Sequence, residues 1–223
     1  MLGKRIADNS RDDSVATRLR RKRFELLRRM IDRCSGPVRI LDVGGRLSYW
    51  KMMMSDRGFG IQVHITLLNV EAPQVDEPGF LSVSGDGRSM PQFVDREFDI
   101  VFSNSTIEHV GTYEDQRRMA DEIRRIGRAY YVQTPNRYFP VEPHFLFPLF
   151  QFLPIGVRVL LVQHFALGWY PRLPDIEAAR REVGSIELLG RRAFHSLFPE
   201  AEIHEERYLG LVKSFVAVHS GPN

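Results

Sequence analysis

The chain has 223 residues, 43% of them apolar and 26% charged, with a formal net charge of +3. That length suits one large domain with a buried core, and the balance excludes a disordered tail, a collagen-like fibre and a disulfide-stapled miniprotein. A single cysteine, Cys34, permits neither an internal disulfide nor a cysteine zinc cluster and fits a reducing cytoplasm.

Residues 1–36 hold eleven Lys/Arg against five Asp/Glu, a local charge of +6, which leaves −3 for the remainder. This basic arm opens with a polar stretch, Met1 to Asp13, that carries no signal-peptide core. Val15, Leu19, Leu26, Leu27, Met30, Ile31 and Cys34 then recur at helical spacing, and Ser35-Gly36-Pro37 ends the helix. Val38 to Val43 reads as a strand, followed by Gly44-Gly45, a helix around Tyr49 to Arg57, and a second strand over Ile61 to Leu68. Phe80 to Val83 and Phe98 to Phe102 are further strands. Thr112 and Asp115 are spaced as a capping box for a helix reaching Ile126, and Ala129 to Gln133 is a fifth strand. Roughly sixty residues intervene before a closing antiparallel pair, Glu202 to Tyr208 and Lys213 to Val218. Strands alternating with helices, then a hairpin, predict an α/β fold: a doubly wound, Rossmann-like seven-stranded sheet, mostly parallel with one antiparallel strand. The expected layout is a basic arm and amphipathic helix over 1–36 and one domain over 37–223, with a lid or acceptor insertion at about 136–198.

In such a sheet, ligands bind beyond the carboxyl ends of the strands. The first strand ends in Asp42-Val43-Gly44-Gly45, where a carboxylate precedes backbone that a ligand can approach closely; a plain tight turn accounts for it equally well. The second ends at Asn69, with Glu71 beyond it, suited to a ribose diol or to a turn. Asp86 lies between Gly85 and Gly87, and the fourth strand ends in Ser103-Asn104 ahead of Glu108-His109.

These motifs together, Ile40-Leu41-Asp42-Val43-Gly44, Gly85-Asp86 before Met90-Pro91, and Phe98-Asp99-Ile100-Val101-Phe102-Ser103-Asn104 with Ile107-Glu108-His109-Val110, resemble the class I S-adenosylmethionine-dependent methyltransferases, nearest to the ubiquinone-biosynthesis-like, type 11 group. The resemblance covers about residues 38–135. It implies S-adenosyl-L-methionine as cofactor, with Asp42, Gly44 and Gly45 by the methionine moiety, Asn69 at the ribose, Asp86 and Gly87 at the adenine, and Ser103 and Asn104 near donor and acceptor. Two departures stand out. Arg46 and Ser48 fall where the family's loop has glycines, and Asn69 replaces an acid.

The insertion supplies Asn136, Arg137, Tyr138 and Glu142 as acceptor-binding candidates, beside a dense aromatic run. His144 and His109 are the catalytic base candidates, because imidazole titrates near neutral pH; a packed histidine is the plain alternative for each. No metal-ligand spacing is present, so no metal is expected. The acceptor is expected to be a small or lipid-like molecule methylated at oxygen. The run from Phe145 to Leu167 is either core or a peripheral membrane surface, and it is too interrupted by Pro and charge to span a bilayer. The Arg18 to Arg23 cluster lacks interleaved aromatics, so nucleic acid is disfavoured and a solvated helix face expected. A non-catalytic binding or scaffold protein is the competing function.

Overall fold

In a computed structural model, residues 14–55, 58–59 and 62–221 are described. The polar opening of the basic arm, with Lys4, Arg5 and Arg11, lies outside them. A first helix, α1 (Val15–Ile31), is capped by the Ser14 hydroxyl, which accepts from Thr17 N at 3.0 Å. Strand β1 (Val38–Val43), helix α2 (Leu47–Met54), strands β2 (Val63–Asn69), β3 (Phe80–Ser84) and β4 (Phe98–Asn104), helix α3 (Tyr113–Ile126) and strand β5 (Gly127–Pro135) follow. The Thr112 and Asp115 capping box forms as expected, each side chain meeting the other's backbone N–H, so the start of α3 has its free donors satisfied.

The insertion comprises a short pair, β6 (Val141–Glu142) and β7 (Phe147–Pro148), then helices α4 (Ile155–His164) and α5 (Ile176–Gly184). Helix α6 (Arg191–Leu197) and the hairpin β8 (Glu202–Tyr208) and β9 (Leu211–His219) complete the chain. Seven strands form one sheet in the order β3-β2-β1-β4-β5-β9-β8. Only β9 runs against its neighbours, opposing β5 with Val132 across from Ala217. The predicted architecture is therefore the observed one, and strand order reverses between β1 and β4, where such sheets hold ligands.

One difference lies at the α3–β5 junction. The helix passes straight into the strand, because Gly127, its C-cap at ψ 141°, already pairs with Phe98 of β4. The strand is thus longer at both ends than Ala129 to Gln133.

Each face of the sheet buries its own core. On one, Met119, Ala120, Ile123 and Ile126 of α3 meet Phe194 and Leu197 of α6. On the other, Phe24, Leu27, Met30 and Ile31 of α1 pack with Trp50, Ile65 and Phe102. Three arginines of α1 depart from the expected solvated row, while Arg18 and Arg29 are exposed as expected. Arg28 is buried over the Phe24 and Phe59 rings and donates to Gly58 O at 2.9 Å, Arg20 lies over the Tyr49 ring, and Arg23 pairs with Glu206 of β8. Long arginine stems cover apolar surface while the guanidinium finds π faces and acceptors. The insertion has a third core around Phe145, Phe150, Val159, Val162, Ala179 and Val183.

Candidate active site

At the carboxyl edge of β1, β2 and β3 lies a cleft of about 630 Å³ lined by Gly44, Leu68, Asn69, Asp86, Gly87 and His109, among others. Gly44 has φ +79°, and a Cβ there would run into Thr106, so the turn out of β1 needs glycine on both counts. Gly45 lies directly over the Asp42 carboxyl, close enough that a Cβ would collide with it. Asp42 is buried and accepts from Trp50 Nε1 at 2.7 Å. Burial pushes its carboxyl up to about 7, with the Trp50 bond opposing that rise. It braces the loop from beneath, tying β1 to α2.

The other cofactor candidates are also engaged. Asn69 Nδ2 donates to Gly45 O at 2.9 Å, and its Oδ1 has no partner among the described residues. Asp86 accepts from Arg88 at Nε and Nη2, at 3.0 and 2.6 Å, which holds its carboxyl below the usual range. Both side chains are about two-fifths exposed, so this pair is solvent-screened and cheap to open. Ser103 is fully buried and donates to Val43 O at 3.2 Å, while Asn104 Oδ1 is buried without a partner. Neither lines the cleft, and Ser103 is linked to it only through Val43, which does.

The residues fit an adenosyl cofactor. The volume is in the range of small-molecule pockets, Val43, Leu68 and Val110 offer apolar walls, and Asn69 Oδ1 with the screened Asp86 carboxylate offers acceptors to hydroxyl and amine groups. Gly44, Gly85 and Gly87 bare their backbone along one side.

A second cluster abuts the cleft. After β4, a single 3₁₀ turn (Ile107–His109) presents Glu108 and His109. Glu108 is fully buried; its Oε2 accepts from Thr134 Oγ1 of β5 at 3.1 Å and its Oε1 has no partner. Burial pushes this carboxyl up to about 7, against the opposing pull of His144. Glu142 of β6, also buried, accepts from the backbone N–H groups of His144 and Phe145 at 2.8 and 2.6 Å and meets His144 Nδ1 at 2.6 Å. Burial alone would lower His144, but the hydrogen bond and charge of Glu142, then the charge of Glu108, outweigh it and raise the imidazole. The His109 and His144 rings meet edge to face, centroids 4.8 Å apart. His109 is held below its ordinary value by desolvation of its inner edge and then by His144; its outer edge is open to solvent, which moderates the shift.

The fold thus brings both predicted catalytic histidines together from segments 35 positions apart. The acceptor candidates are divided. Glu142 joins the histidine cluster and, with Arg137 and Arg158, lines a small cavity of about 70 Å³. Asn136 is 7% exposed, donates to Val212 O at 2.8 Å and accepts from Tyr138 N at 3.0 Å, stapling its loop to β9. Arg137 sits 3.5 Å from Glu187. Tyr138 is 67% exposed and stacks on Phe152. Sequence reasoning gave no role to Trp50 or Thr106 and named Glu108 only as half of the Glu-His pair. The Glu-His pair after β4 was the readable signal for Glu108, while nothing local marks Trp50 as the partner of a carboxylate eight residues earlier.

Residues 41–129 match the family model described as Methyltransferase domain. Two uncharacterized proteins of Mycobacterium tuberculosis, from strains CDC 1551 and H37Rv, are each 33% identical over 66 residues, 30% of this chain and 22% of the relative. The match thus spans about a fifth of the length of these curated relatives. Among solved structures, the CurJ carbon methyltransferase superposes with a TM-score of 0.57 at 11% identity, over 92% of this chain and 55% of that one. The CMeT domain of a citrinin polyketide synthase gives 0.55 at 11%, over 93% and 53%. The PH0226 protein from Pyrococcus horikoshii OT3 gives 0.51 at 13%, over 92% and 91%. Residues 41–129 are thus similar to a methyltransferase domain, for which S-adenosylmethionine is the implied cofactor, and the strand order and glycine-lined cleft are those of the fold these solved structures share.

Proposed function

We propose that the protein transfers a methyl group from S-adenosylmethionine to the oxygen of a small or lipid-like acceptor. The observation that carries this reading is His109, which lines the cleft and also meets His144 at 4.8 Å between ring centroids, joining the cofactor side to the insertion. When bound, the cofactor supplies an electrophilic methyl on a sulfonium sulfur. The chain's own part is positioning and exclusion of water. Gly44, Gly45 and Gly87 keep the backbone bare, Asn69 Oδ1 accepts from a ribose hydroxyl, and Asp86 turns from Arg88 to an adenine amine. Asp42, Ser103 and Asn104 hold the loop and floor from below. An acceptor hydroxyl must shed its proton as it is methylated, and that task falls to the His109 and His144 cluster, with Glu142 setting the His144 ring. Asn136, Arg137 and Tyr138 shape the acceptor side.

The lipid-like option draws support from large apolar side chains that the insertion leaves open to water: Leu160 at 56%, Phe165 at 58% and Trp169 at 45% exposure. Among the described residues no helix is long and apolar enough to cross a membrane; the reading takes a cytoplasmic enzyme with peripheral contact, the compartment resting on the lone Cys34.

Isothermal titration with S-adenosylmethionine tests the reading. Binding in the micromolar range, weakened at least tenfold by Asn69→Ala, is the expected result; no heat from the intact protein overturns it. A non-catalytic binding protein is the second reading, favoured by Arg46 and Ser48 in the loop and by Asp42 being taken up by Trp50. It requires no methyl release from labelled cofactor with any hydroxylated acceptor.

A further inference from the structure

Among the described residues, Glu108, His109 and His144 each present one ligand atom, and the three atoms lie within 4.8 Å of one another. We propose that they form a binding site for one divalent transition-metal cation of the zinc class, through Glu108 Oε1, a ring nitrogen of His109 and Nε2 of His144.

Three independent features point there. Glu108 Oε1 is fully buried and unpartnered, although Oε2 of the same carboxylate is satisfied by Thr134. An orphaned buried acceptor is costly, and a bound cation removes that cost. Second, His144 turns Nδ1 to Glu142 at 2.6 Å, and Glu142 is itself fixed by two backbone N–H groups. An imidazole held at one nitrogen by a carboxylate, with the other free, is the arrangement that orients metal-binding histidines. Third, the charges around the cluster are mostly negative. Glu108 comes from the turn after β4, Glu142 from β6 and Glu182 from α5, while of the two arginines in the neighbouring cavity, Arg137 and Arg158, the first is paired with Glu187.

Two imidazoles and one carboxylate are the ligand set of catalytic zinc sites that keep a fourth position open. Here His109 lines the large cleft and is exposed along one edge, which gives a cation its entry path and directs the open position to the cleft. This use of the site rests on the methyl-transfer reading, with the cation taking over from the free imidazoles the task of promoting loss of the acceptor's proton: an oxygen-bearing acceptor is the fourth ligand such a cation takes, and coordination makes its hydroxyl more acidic. Binding of the ion itself does not depend on that reading.

The test is metal loading of the full chain. Dialysis against micromolar zinc followed by mass-spectrometric metal analysis should give one zinc per chain. The His109→Ala and His144→Ala variant should bind at least about 100-fold more weakly, and Glu142→Gln, which leaves all three ligands in place, about 10–100-fold more weakly. Where a variant does not fold, the cobalt(II) form of the unaltered chain decides. An intense visible band of a four- or five-coordinate nitrogen and oxygen site supports the proposal, and the weak spectrum of six-coordinate cobalt overturns it. Absence of stoichiometric zinc, or unchanged zinc affinity in the double-alanine variant, also overturns it. Cofactor titration on the same samples separates the two ideas. Zinc bound without cofactor affinity leaves the metal site standing and removes the methyl-transfer reading, whereas cofactor bound without zinc does the reverse.

Discussion

Arg23 of α1 and Glu206 of β8 form an ion pair, Nη1 to Oε2 at 3.2 Å, with side chains only 11% and 6% exposed. Ser214 of β9 donates to the same Glu206 oxygen at 3.0 Å. Lys213 Nζ lies 3.7 Å from the same oxygen, so Glu206 keeps a second cation when Arg23 is removed, and Arg23→Ala should cost about 1–3 kcal/mol. Replacing both, as Arg23→Met with Glu206→Leu, also takes the partner from Lys213, so it should recover only part of that loss. Urea unfolding of the two variants checks the sign of the difference.

The two raised carboxyls make stability fall as pH rises. Asp42 and Glu108 hold protons in the folded chain up to about 7 but release them near 4 when unfolded. The folded state therefore binds more protons between those values. Each group's stabilising protonation is fully present below its unfolded pKa and lost as pH climbs through its folded pKa. Asp42→Asn keeps an acceptor for Trp50 and cannot titrate. Its stability relative to wild type should improve between pH 5 and 8 by on the order of 2–4 kcal/mol. Denaturant midpoints at four pH values would show it; parallel curves would exclude it.

Gly44→Ala should damage both folding and ligand affinity. At φ +79° an alanine is strained, and its Cβ meets Thr106. We expect a loss of about 1–3 kcal/mol in stability and no detectable cofactor heat, the second because Thr106 must shift into the cleft it lines.

Phe145 is buried in the insertion's own core, its ring 4.3 Å from Phe150 and 4.8 Å from Tyr170 between centroids. Phe145→Ala should cost about 3–5 kcal/mol locally. If the insertion builds the acceptor side and the sheet edge holds the cofactor, limited proteolysis should open the chain between 136 and 198 while cofactor affinity stays within threefold of wild type.

Thr112→Ala removes one half of the α3 capping box and should destabilise by about 1 kcal/mol. Thermal unfolding of this variant calibrates the larger effects above.

The parallel strands were legible because Val38 to Val43 and Phe98 to Phe102 are apolar on both faces, as strands covered by helices on two sides must be. The capping box at Thr112 was legible for the same local reason: both partners lie within four residues. The role of Asp42 was not. Its carboxyl could be read as facing a ligand, and only the docking of α2 shows it turned to Trp50. Periodicity counts a charged residue as outward, which suits Arg18 and Arg29 but not Arg20 and Arg28, which reach aromatic rings that arrive from α2 and the loop before β2. His109 and His144 were each visible as titratable residues, but their pairing was not, since it depends on how the insertion folds back over β4 and β5.

The buried contact between Arg23 and Glu206 also sets an order in time. During synthesis α1 leaves the ribosome long before β8 and β9 exist, so Arg23 waits, hydrated, with its apolar neighbours Phe24 and Leu27 lacking their full cover. The parallel strands can assemble on it as they emerge, but the sheet edge closes only when the last hairpin arrives. A chain stalled before residue 206 should keep α1 accessible to chaperones and proteases, which makes this helix a clock for completion of the fold.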